Sequence, residues 1–178
     1  MNYTERFYRQ WSKDTDLVSY TVSVKESDLF IRAEKDLTEK TLKLVKKYRS
    51  DIESFIAKNP LFLTSLSPLK IRNGAPPIVK EMAAATEKAS VGPMASVAGA
   101  ISEFVGRDLL KFSKEVIVEN GGDIFIKTNK TRKIGIFAGN SPLTGKIAIE
   151  ILPQKTPLGI CTSAGTVGHS LSFGRADA

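Results

Sequence analysis

The chain has 178 residues, 42% hydrophobic and 25% charged, which is typical of a single soluble domain that buries its own core. Its single cysteine excludes an internal disulfide, and one cysteine with one histidine is too few soft ligands for a structural zinc site. The net charge of +7 comes with no aromatic-interleaved basic motif, so nucleic-acid binding is not expected.

The first 16 residues are polar and charged, without the apolar core of a signal peptide. No later stretch reaches the ~20 apolar residues that a membrane helix needs. We therefore expect a cytoplasmic protein that has no membrane partner.

The next segment predicts a β-hairpin followed by a helix. Residues 17–24 alternate between apolar and polar side chains, as a half-buried strand does, and residues 29–33 return as a second strand. Asp36, with Glu39 three residues later, predicts a helix N-cap, and Asn59-Pro60 predicts its end.

The middle of the chain predicts two more helices after an irregular stretch at 61–77. One is alanine-rich and covers residues 78–90, and the other begins at Pro93 and continues to Val105. The small residues of this second helix allow tight helix packing, or they place the free N–H groups of the helix N-terminus near a phosphate.

From residue 114 the pattern changes to short β-rich segments at 115–119, 123–127, 133–138 and 146–152. The sequence therefore predicts an α+β fold with antiparallel sheets and helices packed on one face. A basic cluster between two of these strands (Lys127, Lys130, Arg132 and Lys133) predicts a solvated turn, with phosphate attraction as the alternative.

Asn120, Gly121, Gly122 and Asp123 form the first candidate site. Asn-Gly between alternating strands is the strongest short hairpin signal, so a plain turn is one interpretation. The functional interpretation is a turn whose amides meet a phosphate or a ring edge, with Asp123 as a polar anchor or metal ligand.

The glycine- and hydroxyl-rich loop at 159–174 is the second candidate site. It contains Cys161 and His169 with Thr162, Ser163 and Gly165 between them. A structured loop is the simpler interpretation, and a Cys161–His169 dyad is the catalytic one. The Gly-x-Ser-x-Gly pattern of a nucleophile elbow is not met.

Four blocks in order carry a family resemblance. They are Val-Gly-Pro-Met-Ala-Ser-Val-Ala-Gly-Ala-Ile at 91–101, Val-Glu-Asn-Gly-Gly-Asp-Ile-Phe-Ile at 118–126, Gly-Asn-Ser-Pro-Leu at 139–143 and the segment 159–178, which includes Cys-Thr-Ser-Ala-Gly-Thr-Val-Gly-His. Together they resemble the small uncharacterised ApbE-like family of archaea and bacteria, over nearly the whole chain. The wider superfamily includes FAD:protein FMN transferases, which are magnesium-dependent.

The resemblance implies an FAD-binding protein, with FMN transfer to a hydroxyl of an acceptor protein as its activity. It implies cofactor contacts from Asn120, Gly121, Gly122 and Asp123 and, in the second loop, from Thr162, Ser163 and Gly165. It also implies a polar or catalytic role for His169 and a magnesium ligand at Asp123.

The same resemblance leaves an alternative, an accessory role in sulfide assimilation and homocysteine biosynthesis in which Cys161 carries sulfur. The resemblance also implies that family members normally continue beyond Ala178 with a strand and an Ala-Asp-Ala-x-x-Thr segment. We therefore expect a single ApbE-like domain, 1–178, that is truncated at its C-terminus, and a homo-oligomer is among the expected partners.

Overall fold

The computed structural model describes Arg9 and residues 16–71, 73–137 and 141–161. The strands are β1 Val18–Val24, β2 Ser27–Ala33, β3 Val116–Asn120, β4 Asp123–Lys127, β5 Arg132–Gly135, β6 Ala148–Ile151 and β7 Leu158–Ile160. The helices are α1 Thr38–Lys58, α2 Leu61–Thr64, α3 Pro77–Lys88 and α4 Val97–Leu109, with short 3₁₀ helices at Pro93–Ser96 and Pro153–Lys155.

The main sheet has five antiparallel strands in the order β1-β2-β3-β4-β7. Its central strands β2 and β3 are buried along almost their whole length. Strands β5 and β6 form a separate antiparallel pair. Burial on both faces explains why β3 reads as an apolar run instead of an alternating one.

The larger core lies between the helices and one face of this sheet. Apolar residues of α1, α3 and α4 pack there against inward-facing side chains of β1, β2 and β3. Helix α4 lies close to β4 because Gly106 has no side chain: a Cβ there would come 2.2 Å from Cδ1 of Phe125. The small residues of α4 therefore serve tight packing along the middle of the helix.

A smaller apolar cluster lies on the opposite face, formed by Leu17, Ile117, Ile126 and Ile151 with Ile160 packed against them. Beside it, Arg132 is buried and donates hydrogen bonds to Asp16, at 2.7 and 2.9 Å, and to Glu115, at 2.9 Å. The predicted solvated turn is therefore wrong for Arg132, whose charge is used to join β5 to the start of β3.

The α+β class with antiparallel sheets and helices is confirmed, and three local predictions need correction. The N-cap of α1 is Leu37, while Asp36 accepts a hydrogen bond from the N–H of Thr38 at 2.7 Å. Helix α2 forms in the stretch predicted to be irregular. Strand β7 forms where a loop was predicted, because Ile160 pairs with Ile124 of β4 and joins the smaller cluster.

Within the described ranges, no helix is both long enough and apolar enough to cross a membrane.

Candidate functional site

The hairpin between β3 and β4 turns through two glycines. Gly121 and Gly122 have φ of 67° and 102°, and Asn120 pairs with Asp123 across the turn. Positive φ at both central residues is the signature of a type I′ turn, whose twist matches that of the flanking strands. The predicted hairpin is confirmed, and side chains at either glycine would strain it.

Side chains of this hairpin fasten it to the first turns of α4. The side-chain amide of Asn120 donates to the carbonyl oxygen of Ala98 at 3.2 Å. The hydroxyl of Ser102 lies 3.1 Å from the carbonyl oxygen of Asp123 and 2.9 Å from that of Ala98. The turn and the helix N-terminus, which the sequence places about 20 residues apart, are therefore one structural unit.

Asp123 lies part-buried at the centre of this unit. An ideal Cβ on Gly99 would lie 3.5 Å from its Oδ2 atom, so the carboxyl occupies space beside the helix that the glycine leaves open. Burial raises the pKa of Asp123 to about 6; a hydrogen bond from the backbone of Gly99 opposes the rise, and the negative charge of Glu119 adds to it. Within the described part of the chain, Asp123 forms no ion pair with a lysine or arginine.

Glu119 supports the turn from the opposite face of the sheet. Its Oε1 atom accepts a hydrogen bond from the N–H of Gly122 at 2.9 Å, and its Oε2 atom accepts one from Nε of Arg9 at 2.7 Å. Sequence reasoning missed both residues. A glutamate inside a buried apolar strand was the available signal for Glu119, because such a charge needs partners; nothing marked Arg9.

Cys161 directly follows β7 and is exposed. Ile160 and Ile124 are the last pair of the β4–β7 ladder, and Cys161 and Asp123 are the residues next to that pair. Cys161 therefore lies at the same end of the main sheet as the β3–β4 turn.

The other residues predicted in the second loop, Thr162, Ser163, Gly165 and His169, lie outside the described residues. Among the residues that the structure describes, no group of three histidine, cysteine, aspartate or glutamate side chains is placed to hold a metal ion. Asp123 therefore supplies one carboxyl and not a complete magnesium site in this part of the chain.

The chemistry that Asp123 offers is hydrogen bonding in either direction. A carboxyl with a pKa near 6 is present in both protonation states near neutral pH, so it can accept or donate a hydrogen bond.

Comparison with known proteins places this chain in a family. Residues 9–178 match the family model described as "AbpE bacteria". A UPF0280 protein from Methanococcus vannielii is 46% identical over 169 residues, covering 91% of this chain and 67% of that protein. A UPF0280 protein from Methanococcus aeolicus is 44% identical over 169 residues, covering 91% of this chain and 67% of that protein. Another from Methanocaldococcus jannaschii is 44% identical over 160 residues, covering 88% of this chain and 65% of that protein.

The chain spans about two thirds of the length of the curated relatives it matches. The match covers both candidate sites, from the β3–β4 turn through the loop that contains Cys161 and His169. The resemblance to the small ApbE-like family is confirmed at this level: the chain belongs to the family described as "AbpE bacteria", and UPF0280 proteins are among its relatives.

Proposed function

We propose that this chain binds a flavin nucleotide, FAD, at the end of the main sheet where the β3–β4 turn meets α4. The observation that carries the proposal is the position of Asp123, a part-buried carboxyl without a described cation partner, packed against Gly99 and directly after the Gly121-Gly122 turn. Burying a carboxyl in this way is costly unless another group makes use of it.

In this proposal each residue has a role that its geometry permits. Asp123 hydrogen-bonds an N–H group of the ring or a hydroxyl of the sugar chain. Gly121 and Gly122 provide the positive φ of the turn, and Gly99 leaves room beside α4 for the Asp123 carboxyl. Asn120, held by the carbonyl oxygen of Ala98, fixes the distance between the turn and the helix. The family membership supports this assignment, because the ApbE-like resemblance implies FAD.

The more specific proposal is FMN transfer to an acceptor protein. A hydroxyl oxygen of the acceptor would attack the phosphorus of the FMN half of FAD. The new P–O bond joins FMN to the acceptor, the P–O bond to AMP breaks, and AMP leaves with the electron pair while the hydroxyl proton passes to a base. Bound magnesium would neutralise the phosphates, with Asp123 as one ligand and further ligands required beyond it.

Titration of FAD into the purified chain, followed by flavin fluorescence with and without magnesium, tests the proposal. We expect saturable binding that weakens at least about tenfold in Gly99→Val, because the added side chain fills the space beside Asp123. Gly135→Val is the matched control, since nothing lies within 4 Å of a Cβ at Gly135. Absence of saturable FAD binding, or equal affinity in both variants, would contradict the proposal.

A second candidate is sulfur carriage by Cys161, and the observation that favours it is the exposed position of this residue directly after β7. The thiol would take a sulfane sulfur from a persulfide donor: the Cys161 sulfur bonds to the terminal sulfur, the donor's S–S bond breaks, and the donor leaves as a thiol. This exchange balances without an external oxidant.

Cys161→Ser separates the two candidates, and it removes the only thiol of the chain. The sulfur role predicts that the wild-type chain retains cyanolysable sulfur after exposure to a persulfide donor, and that the variant retains none. The flavin role predicts unchanged FAD affinity in the variant. Wild-type protein that takes up no sulfur would rule out the second candidate.

A further inference from the structure

We propose that Glu119 is a positioning residue for the flavin site, which it serves by clamping the Gly121-Gly122 turn from the far face of the sheet. This inference rests on the proposed function, and it assigns a task to a carboxylate that does not face the ligand. Asp123 and Glu119 belong to the same hairpin but lie on opposite faces, because side chains alternate along a strand.

The carboxylate of Glu119 divides its two oxygens between two tasks. One accepts the N–H of Gly122 at 2.9 Å, and the other accepts Nε of Arg9 at 2.7 Å. The Glu119 and Arg9 side chains are only 9% and 11% exposed, so solvent weakens this pair little. Hydrogen bonds that involve a charged partner are the stronger ones, so Gly122 is held by a strong acceptor.

Arg9 is in turn fixed by groups that do not belong to the turn. Its guanidinium donates to a carboxylate oxygen of Asp28 at 3.0 Å and to the carbonyl oxygen of Asp28 at 2.9 Å, and it lies over the ring of Phe30 at 5.6 Å. Asp28 also accepts the hydroxyl of Ser23 at 2.7 Å. The turn is thereby tied, through Glu119 and Arg9, to the hairpin of β1 and β2.

The physical need for a clamp comes from the two glycines. Glycine provides the positive φ that the turn requires, but it also allows more backbone conformations than any other residue. A Gly-Gly turn without a side-chain hydrogen bond would sample several of them and lose its alignment with Asp123. The clamp reduces the conformational entropy that a ligand would otherwise remove on binding.

The test compares Glu119→Leu with Glu115→Leu. Both glutamates are buried and paired with an arginine, but Glu115 precedes β3 at the end of the hairpin away from the turn. We expect Glu119→Leu to speed amide hydrogen exchange at Gly122 and to weaken FAD binding, each by about tenfold. That is the effect expected from the loss of one charge-assisted hydrogen bond. Glu115→Leu should leave the exchange rate at Gly122 and the FAD affinity near the wild-type values at a temperature where it is folded.

Arg9→Met is the second variant, and it decides the matter if Glu119→Leu does not fold. It leaves the strand unchanged and removes the guanidinium that holds the carboxylate, so Gly122 should exchange faster than in the wild type. Unchanged exchange at Gly122, or an equal increase in Glu115→Leu, would overturn the inference. The exchange measurement needs no ligand, so it tests the clamp independently of FAD binding. A wild-type chain that fails to bind FAD would overturn the proposed function without deciding whether Glu119 holds the turn.

Discussion

The β3–β4 hairpin carries a carboxyl group at each end, Glu115 buried and Asp123 part-buried, and their pKa values are shifted in opposite directions. Burial opposes the ionisation of Glu115, but hydrogen bonds from Thr128, at 2.6 Å, and from Arg132, at 2.9 Å, outweigh it and keep the pKa of Glu115 below its usual value. At Asp123 burial prevails, and the pKa rises to about 6.

The difference separates a structural carboxylate from an available one. Glu115 is matched by donors from β5 and from the segment after β4, so its charge serves to join these segments. Asp123 accepts a hydrogen bond from the backbone of Gly99, and within the described residues it has no lysine or arginine partner. In the described part of the chain, Glu115 is thus matched by an arginine and a hydroxyl group, whereas Asp123 is matched by a backbone amide. Four predictions test this comparison, from the largest expected effect to the smallest.

The largest effect is expected at the satisfied end. Arg132→Met would leave Glu115 buried without its guanidinium and would also remove the pair with Asp16. Breaking a buried ion pair from one side should lower the free energy of unfolding by about 3–5 kcal/mol, measured by urea denaturation. The neighbouring Lys133→Met, at an exposed position, should change it by less than about 0.5 kcal/mol. Equal effects of the two substitutions would contradict a structural role for this end.

Two glycines of α4 should respond differently to alanine. Gly106→Ala places a Cβ 2.2 Å from the Phe125 ring and should cost about 1–3 kcal/mol of unfolding free energy. Gly99→Ala places its Cβ at an ordinary 3.5 Å from Asp123, so stability should hold or rise by up to about 1 kcal/mol, in line with helix propensity. Thermal unfolding distinguishes the two variants. A Gly99→Ala variant as unstable as Gly106→Ala would contradict the prediction, because it would show that the fold requires glycine beside Asp123.

Asp123→Asn should change the pH dependence of stability. The folded-state pKa of about 6 lies above the ordinary value of 3.8, so the contribution of this carboxyl is complete below pH 3.8 and is lost as the pH rises through 6. Since the group is part-exposed, the wild type should lose about 1–2 kcal/mol relative to Asp123→Asn between pH 4 and pH 7. Urea denaturation at the two pH values measures the difference, and parallel stabilities would contradict a raised pKa.

The smallest effect is expected for a carboxylate that is paired but exposed. Glu53 forms ion pairs with Lys25 at 3.0 Å and Arg49 at 2.9 Å, and its side chain is 45% exposed. Glu53→Gln should lower the free energy of unfolding by less than about 1 kcal/mol, because solvent screens such pairs. If Glu53→Gln lowered the free energy of unfolding as much as Arg132→Met does, then pairing, and not burial, would determine how much these carboxylates contribute to stability.

The sequence predicted the parts of this molecule that depend on local pattern. Alternation predicted β1 and β2, helical spacing predicted α1, and Asn120-Gly121-Gly122 predicted the turn. Local pattern did not predict strand β7, because its three residues, Leu158–Ile160, owe their strand conformation to pairing with β4.

Long-range pairing explains what the sequence did not predict at the site. The partners of Arg132 include Asp16, 116 positions away, and Glu119 meets Arg9 across 110 positions. Neither contact leaves a local pattern, since a charged residue in a strand looks the same whether it meets solvent or an opposite charge. The position of Asp123 beside Gly99, and that of Cys161 at the end of β7 next to β4, likewise follow from tertiary contacts.

The most direct test of the central claim is to follow backbone amide signals of the ¹⁵N-labelled chain by NMR while FAD is added. The account predicts saturable shifts at Gly99, Gly121 and Gly122. It predicts none at Gly92 and Gly135, because Asp123 is not among the neighbours of a Cβ at either position. Shifts confined to other regions, or none at FAD concentrations that saturate the flavin signal, would contradict a flavin site at the Asp123 end of the sheet.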